Sequence, residues 1–513
     1  MSESVTIAHN AINAKLHNPS RAVKLEVQRI LSYKVEGCEM SSSFKMGHWD
    51  GRSSFFTFGT SVFPAGFVYY VTGRLKQKGY DVRLVRRPLP ECLGPENPVV
   101  DNFPDDPRYD YQMEVVRRLT KHGQIIAQCA TGAGKSKIAK LAFARINRPT
   151  LFLTTRSILL HQMKDSLEKD LKISVSVLGD GQFGFVDDSG QSFIKKMTVG
   201  MVQTLISRLQ EPNADDDVET QNRQVRVRNQ TIALLSKFEF VILEEAHEAS
   251  GNSYFEILSH CKNANFRLAL TATPFMKENE ESNMRLMACS GPVAIKVTEK
   301  TLIERGILAK PYFKICRLRN RPEKLLRGTA WQAAYRLGIV NNDERNRIIV
   351  NEVARAASYG LTSMVLIQQK AHGDILTKMF NDKKISCEFI QGADDQKSRK
   401  AALKALGEGK IQVLIGTTIL DVGVDVPSVG LIVLGGGGKA EVSLRQRIGR
   451  GLRAKKFGPN VALVVDFDDP FNNYTKAHAA QRLSIIRETE GFVENIVSED
   501  FNYHALGLAK TAA

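Results

Sequence analysis

Two short stretches have residue types and spacing suited to handling a triphosphate. Residues 129–136 read Cys-Ala-Thr-Gly-Ala-Gly-Lys-Ser, after an apolar run and before an amphipathic one. A tight turn of small residues lets successive backbone N–H groups face a phosphate, and the positive end of the following helix adds to the attraction. Thr131, Gly132, Ala133 and Gly134 make that turn; Lys135 would reach the β and γ phosphates, and Ser136 would hold Mg²⁺. The strict pattern asks for glycine where Cys129 stands, five residues before Gly134. The second stretch is Phe240–Gly251, FVILEEAHEASG, an apolar run ending in two carboxylates. Glu244 would hold Mg²⁺, usually through water, and Glu245 would accept a proton from the attacking water. A solvated acidic turn after a strand is the bland reading of any Glu-Glu pair. It gives way here because the strand belongs to the same α/β unit as the phosphate loop.

Two further stretches extend this set. LTATP, residues 270–274, ends an apolar run with the hydroxyls of Thr271 and Thr273. VSLRQRIGRGLRAKK, residues 442–456, sets Gln446, Arg447, Arg450 and Arg453 along an expected helix. Positions 446, 450 and 453 are spaced four and three apart and so share a face. Arginines so presented stabilise charge that develops in phosphoryl transfer. A basic helix lying on nucleic acid stays open beside that reading, with Lys455 and Lys456 suited to it.

These groups need elements to carry them. Apolar runs at 124–129, 150–154, 197–202, 240–244 and 267–271 predict buried strands, each followed by an amphipathic stretch. A second series lies at 363–367, 386–390, 413–417, 431–435 and 462–467. Strands alternating with helices predict parallel sheets, here two α/β lobes in tandem. Residues 87–107, RPLPECLGPENPVVDNFPDDP, read as a linker, since proline disfavours both helix and central strand. The expected division is a small basic α+β domain over 1–88, a linker over 89–107, a first lobe over 108–310, a second over 311–470 and a polar helical tail over 471–513. EPNADDDVETQNRQVRVRNQ, residues 211–230, reads as a loop or mobile excursion, and LGGGGKAEVS, residues 434–443, as a flexible turn.

Composition bounds the class. The 513 residues carry 71 Lys and Arg against 55 Asp and Glu, a net +16 with a pI near 9.4. That excess favours a polyanionic partner such as nucleic acid, with a merely basic enzyme as the alternative. Seven cysteines at 38, 92, 129, 261, 289, 316 and 387 are too scattered for a metal site, and their odd number argues against a disulfide framework. No apolar stretch approaches a membrane helix and the N-terminus has no signal-peptide core, so a soluble protein of a reducing cytoplasm is expected, a host's cytoplasm if the gene is a phage's.

The ordered series YDYQ, ATGAGKS, TTRSILLHQM, VGMVQT, EEAH, TATP, TTILDVGVDVP and QRIGRGLR resembles the motifs of superfamily 2 helicases of the DEAH/DExH kind, over about residues 108–467. The likeness implies two RecA-like lobes binding ATP and Mg²⁺ between them and moving along nucleic acid. By position it implies that Gln112 recognises adenine with Tyr109 or Tyr111 stacking nearby. It also implies that Thr271 and Thr273 couple hydrolysis to lobe movement, and that Gly423 and Asp425 contact nucleotide or nucleic acid. Arg450 and Arg453 would act across the lobes. Thr155, Arg156, Gln203, Thr204, Thr417 and Thr418 would follow the nucleic-acid backbone. Where this family usually has the shorter aspartate, the chain has Glu244.

At the front, residues 44–85 hold 'FKMGHWDGR', then Pro-Ala-Gly, then Gly-Tyr, and resemble the small N-terminal domain of the UvsW-like phage recombination and repair helicases. Residues 1–87 carry 13 Lys or Arg against 6 acids. Read from the residues alone, Asp50-Gly51 predicts a hairpin turn. Trp49 reads as a core residue in preference to a base-stacking platform. Lys45, Arg52, Arg74, Lys76 and Lys78 make either a DNA-facing surface or a solvated one. The resemblance implies DNA, and branched or forked DNA, as partner: Holliday-junction migration and fork regression in recombination, replication or repair. The translocating subunit of a restriction system, a non-hydrolysing DNA-binding protein and an RNA helicase are the competing readings.

Overall fold

The computed structural model describes residues 3–100, 106–186, 192–246, 251–275, 280–392, 394–417, 428–438, 444–445, 448–449, 451–455 and 458–510. The chain divides into two compact units, one of residues 1–129 and 134–297, the other of residues 130–133 and 298–513.

The first unit is built on an eight-stranded sheet. Its order is Gln182–Phe183, Val175–Gly179, Met197–Met201, Thr150–Thr154, Phe240–Glu244, Phe266–Thr271, Gln124–Cys129, Val293–Val297. All pairings are parallel except that of the two-residue edge strand Gln182–Phe183. Central strands such as Phe240–Glu244 and Phe266–Thr271 are buried along nearly their whole length. Helices covering both faces of a parallel sheet require such unbroken apolar runs. Cys129 is the last residue of its strand, paired in register with Val297 and fully buried. A buried side chain at the strand's end thus stands where the strict loop pattern has glycine.

The small N-terminal domain belongs to this unit. A four-stranded sheet, ordered Val62–Pro64, Asn13–His17, Ser4–His9, Asp81–Arg86, packs with the helices Arg21–Ile30 and Val68–Gln77. Its core continues into the lobe through Met284 and Ala288, with Phe255 and Met287 packed against them. Phe55 lies 6.0 Å from Phe255, ring centre to ring centre. A Cβ on Gly66 would overlap the backbone carbonyls of Met287 and Ala288, so only glycine permits this approach. Gln124 Nε2 donates to Ala11 O at 2.8 Å in the same buried seam.

Several expectations need correction. Residues 218–230 of the supposed excursion lie in the 18-residue helix Val218–Leu235. Asp217 caps it by accepting from the Thr220 N–H, and Thr231, Leu234 and Leu235 are buried. A long polar face masked the narrow apolar one. Asp50-Gly51 does not close a two-residue hairpin. Gly51, at φ +74°, enters the strand Arg52–Ser54, which pairs with the distant Ser32–Lys34. Trp49 is half-buried and outside the core, with its Nε1 donating to Arg52 O at 2.6 Å. Part of the proline-rich linker is strapped down: Leu93 and Gly94 N–H bond to Ile146 O and Arg145 O at 3.1 and 3.0 Å.

The second unit carries a seven-stranded, all-parallel sheet. Its order is Cys387–Ile390, Val413–Gly416, Ser363–Leu366, Leu431–Val433, Val461–Phe467, Lys310–Cys316, Ile496–Val497. The tail is not merely a polar helix. After the helix Asn473–Glu488, Ile496–Val497 extends the sheet, and Phe501, Tyr503 and Leu508 join the lobe's core. No helix among the described residues is long and apolar enough to cross a membrane.

Candidate nucleotide site and nucleic-acid face

The register of the first sheet gathers the chemistry at one edge. Glu244 pairs with Leu270, and Thr271 with Gln128, so the strands bearing Glu244, Thr271 and Cys129 end side by side. The carboxyl edge of a parallel α/β sheet is where such folds bind ligands.

The phosphate loop leaves that edge as a tight turn in which the Ala133 N–H bonds to Ala130 O at 3.1 Å. Gly132 and Gly134 hold φ of +92° and +79°, and Gly134 precedes the helix Lys135–Ile146. A Cβ on Gly134 would overlap the Gln112 amide, so the loop needs glycine there for room as well as for φ. That contact brings Gln112, 2 % exposed, directly against the loop. Tyr109 is half-buried while Tyr111 is buried in the core, which leaves Tyr109 as the ring of the two that a base could reach.

Glu245 follows its strand at φ +42°, a left-handed conformation costly for a glutamate and met where surrounding structure enforces it. Its Oε1 lies 3.4 Å from Lys135 Nζ, with the two side chains 17 % and 12 % exposed. Glu244 O accepts from Tyr254 Oη at 3.1 Å, fixing the strand's end. The Thr271 hydroxyl accepts from Thr273 N at 3.2 Å. Among the described residues, the Thr154 and Thr273 hydroxyls at this edge are buried without a partner, the kind of orphan that calls for an explanation. Burial pushes the Cys129 thiol up to about 12, so it stays protonated beside the loop. Hydroxyl and carboxylate oxygens from Ser136 and Glu244 are the donor types Mg²⁺ prefers.

On the other half of the edge, Thr155 and Arg156 follow Thr150–Thr154, while Gln203 and Thr204 open the helix Val202–Leu209 after Met197–Met201. Met201 pairs with Thr154, so the two pairs of residues are neighbours. Arg156 and Gln203 are exposed, Thr155 and Thr204 half-buried.

In the second unit, Thr417 follows Val413–Gly416 with its N–H on Ile390 O at 3.3 Å, and Arg453 is exposed. Thr418, Gly423, Asp425, Gln446, Arg447, Arg450 and Lys456 lie outside the described residues. Lys455 is not a surface cation: its Nζ donates to Val429 O, and burial lowers its pKa to about 8. Arg52, expected on a DNA-facing surface, donates to Ser32 Oγ at 2.7 Å and sits 3.5 Å from Glu280; Lys78 pairs with Glu26 at 2.8 Å. Lys45, Arg74 and Lys76 are exposed.

Sequence reasoning missed how the glycine turn is held. Arg345 donates to Leu434 O and Gly435 O, Tyr335 to Gly436 O, Gln368 to Gly437 O and Arg482 to Gly438 O. The described part of the turn, residues 434–438, is fixed by these bonds and not flexible, while residues 439–443 lie outside the described residues. Arg345 and Arg482 are themselves buried on Asp466 and Asp469. No local spacing signals this, because the four residues come from distant parts of the chain.

Residues 107–276 match the family model "Type III restriction enzyme, res subunit", and residues 344–455 match "Helicase conserved C-terminal domain". Taken with the ordered site, these matches make the chain a member of the superfamily 2 helicases, an ATP-dependent helicase that acts on nucleic acid. Among its relatives is the ATP-dependent DNA helicase uvsW of Enterobacteria phage T4, 22% identical over 501 residues, 93% of this chain and 94% of the relative. The DNA 3'-5' translocase XPB2 of Sulfurisphaera tokodaii is 25% identical over 407 residues, 73% of this chain and 83% of the relative. The crystal structure of T4 UvsW covers 94% of this chain and 96% of its own at 19% identity, with a TM-score of 0.46.

Proposed function

We infer that this helicase works on DNA, and on branched or forked DNA in particular, driving branch migration, fork regression and unwinding in recombination, replication or repair. The supporting observation is the extent of the alignment with the phage DNA helicase: 501 residues and 93% of this chain, more than the two lobes alone could supply. A pre-mRNA-splicing RNA helicase of Cryptococcus neoformans, PRP28, aligns over 262 residues, 49% of this chain. The match to a restriction-subunit model runs over 107–276, the stretch bearing the nucleotide site, and so speaks to ATP use.

In this reading Gln112 and Tyr109 hold the adenine, and the turn Thr131–Gly134 with Lys135 holds the phosphates. Ser136 and Glu244 hold Mg²⁺, which would neutralise phosphate charge when bound. Glu245 takes the proton of the attacking water, and Gln446, Arg450 and Arg453 supply charge from the second lobe. Thr271 and Thr273 relay the change, Gly423 and Asp425 contact nucleotide or nucleic acid, and Thr155, Arg156, Gln203, Thr204, Thr417 and Thr418 follow the backbone. Lys45 remains a DNA contact of the front domain, and Arg52 reaches DNA only by leaving its bonds to Ser32 and Glu280.

The test is ATP hydrolysis without nucleic acid and with single-stranded DNA, forked DNA and RNA, beside Lys135→Ala. Forked DNA should stimulate most. Stimulation by RNA alone would overturn the DNA reading, and equal stimulation by single-stranded and forked DNA would overturn the branched-substrate reading.

A further inference from the structure

Residues 317–330 leave the strand Lys310–Cys316 as an irregular segment with five cations, Arg317, Arg319, Arg321, Lys324 and Arg327, against one acid, Glu323. A charge run that serves only solubility needs no fixed backbone, yet this one is fixed along its length. Leu318 N donates to Asp468 Oδ1 at 3.0 Å, and the Glu344 carboxylate accepts from Arg319 N at 3.1 Å and Asn320 N at 2.8 Å. Asn472, 1 % exposed, spends its Nδ2 on Leu326 O, Arg327 O and Thr329 O at 2.9, 3.1 and 3.0 Å. Leu318 and Leu325 are buried as anchors, while Leu326 is 61 % exposed. Lys324 is held at φ +64°, a strained conformation for a lysine.

The neighbouring acids are thus committed to backbone amides. Among the described residues, only Arg317 of the five cations has a carboxylate within ion-pair distance, Asp468 at 3.9 Å. Long irregular segments that stay ordered inside a compact lobe are usually functional. Two elements beside the segment also reach the glycine turn: Tyr335, just after it in the chain, holds Gly436 O, and the helix capped by Asn472 carries Arg482, which holds Gly438 O.

We propose that segment 317–330 is a preorganised nucleic-acid contact of the second lobe, in which Arg319, Arg321, Lys324 and Arg327 grip the sugar–phosphate backbone. The assignment rests on the helicase reading and adds a surface to the backbone-following residues already named. Rigid support lets the cations meet phosphates without first ordering the chain. Tyr335 and the helix capped by Asn472 tie its support to the glycine turn at 434–438.

The test is equilibrium binding of fluorescent forked DNA over a salt series. The triple variant Arg319→Ala, Arg321→Ala, Arg327→Ala is set beside the triple Lys variant at the same positions. Losing three phosphate contacts should flatten the slope of log K against log salt by about 2 to 3. Affinity at about 0.1 M salt should fall about tenfold or more, with the melting temperature unchanged. The Lys variant should keep the wild-type slope. An Ala variant with wild-type slope and affinity overturns the proposal, as does a Lys variant as weak as the Ala one. Wild-type protein that binds no nucleic acid would overturn the helicase reading as well.

Discussion

Lys135 Nζ and Glu245 Oε1 lie 3.4 Å apart at the edge of the first sheet, so the cation proposed to grip the phosphates and the carboxylate proposed to take the proton offset each other's charge. On the proposed function, nucleotide would separate them before either serves. Glu245→Gln removes both the proton acceptor and the competitor for Lys135. Turnover should drop about 10²–10⁴-fold, the usual contribution of a general base. ATP should bind at least as tightly as to the wild type, read with a fluorescent analogue. Weaker binding would show that the pair supports the loop instead of competing with the nucleotide.

Glu244 ends its strand in register with Leu270 and reaches one methylene further than an aspartate would. Glu244→Asp should keep turnover within about tenfold and change the Mg²⁺ dependence, because the ion keeps several waters that can take up the difference. Glu244→Ala should abolish hydrolysis. A Mg²⁺ titration of steady-state ATPase reads both, and near-normal turnover of the alanine variant would remove Glu244 from the metal site.

Arg482 joins Asp466 at 2.9 Å and Asp469 at 3.2 Å with hardly any solvent exposure. Removing one member of such a buried set strands the opposite charges. Arg482→Met should therefore cost about 3–5 kcal/mol in urea unfolding of the second lobe. It should also release Gly438 O, so hydrolysis should fall even at temperatures where the variant is folded.

His372 is fully buried, with Nε2 against Asn346 Oδ1 at 2.8 Å, and burial, reinforced by Arg345, lowers its pKa to about 3. The unfolded chain takes up this proton near 6.5 and the folded one only near 3. Between those values the unfolded state binds more protons, so stability falls as pH falls through the window. His372→Gln should remove about one proton's worth of slope there, roughly 1.4 kcal/mol per pH unit. Unfolding titrations at pH 4, 5 and 7 measure it; an unchanged slope would mean the ring is charged in the fold.

Much of the architecture was readable because buried parallel strands are continuous apolar runs. Phe240–Glu244 and Thr150–Thr154 begin and end where the sequence placed them. Strands lacking that signature were missed: Lys310–Cys316 alternates polar and apolar residues, and Val293–Val297 is a half-buried edge. The helix Val218–Leu235 escaped because its buried stripe is only a few residues wide. In the first lobe the places of the glycine turn and of Glu244 and Glu245 were legible, since each is a local pattern at a strand's end. The glycine clamp, the strapped linker and the pairing of Arg52 with Glu280 are contacts across tens to hundreds of residues, and no local spacing encodes them.

The shared seam between the front domain and the first lobe has a practical side. Phe255, Met284, Met287 and Ala288 have their apolar cover in residues such as Phe55 and Phe67. A chain begun at residue 88 would bare this patch to water, and exposed contiguous apolar surface promotes self-association. The front domain therefore doubles as a solubility cap for the ATPase lobe, and trimming the protein to its helicase core should yield aggregates before it yields information about nucleic-acid binding.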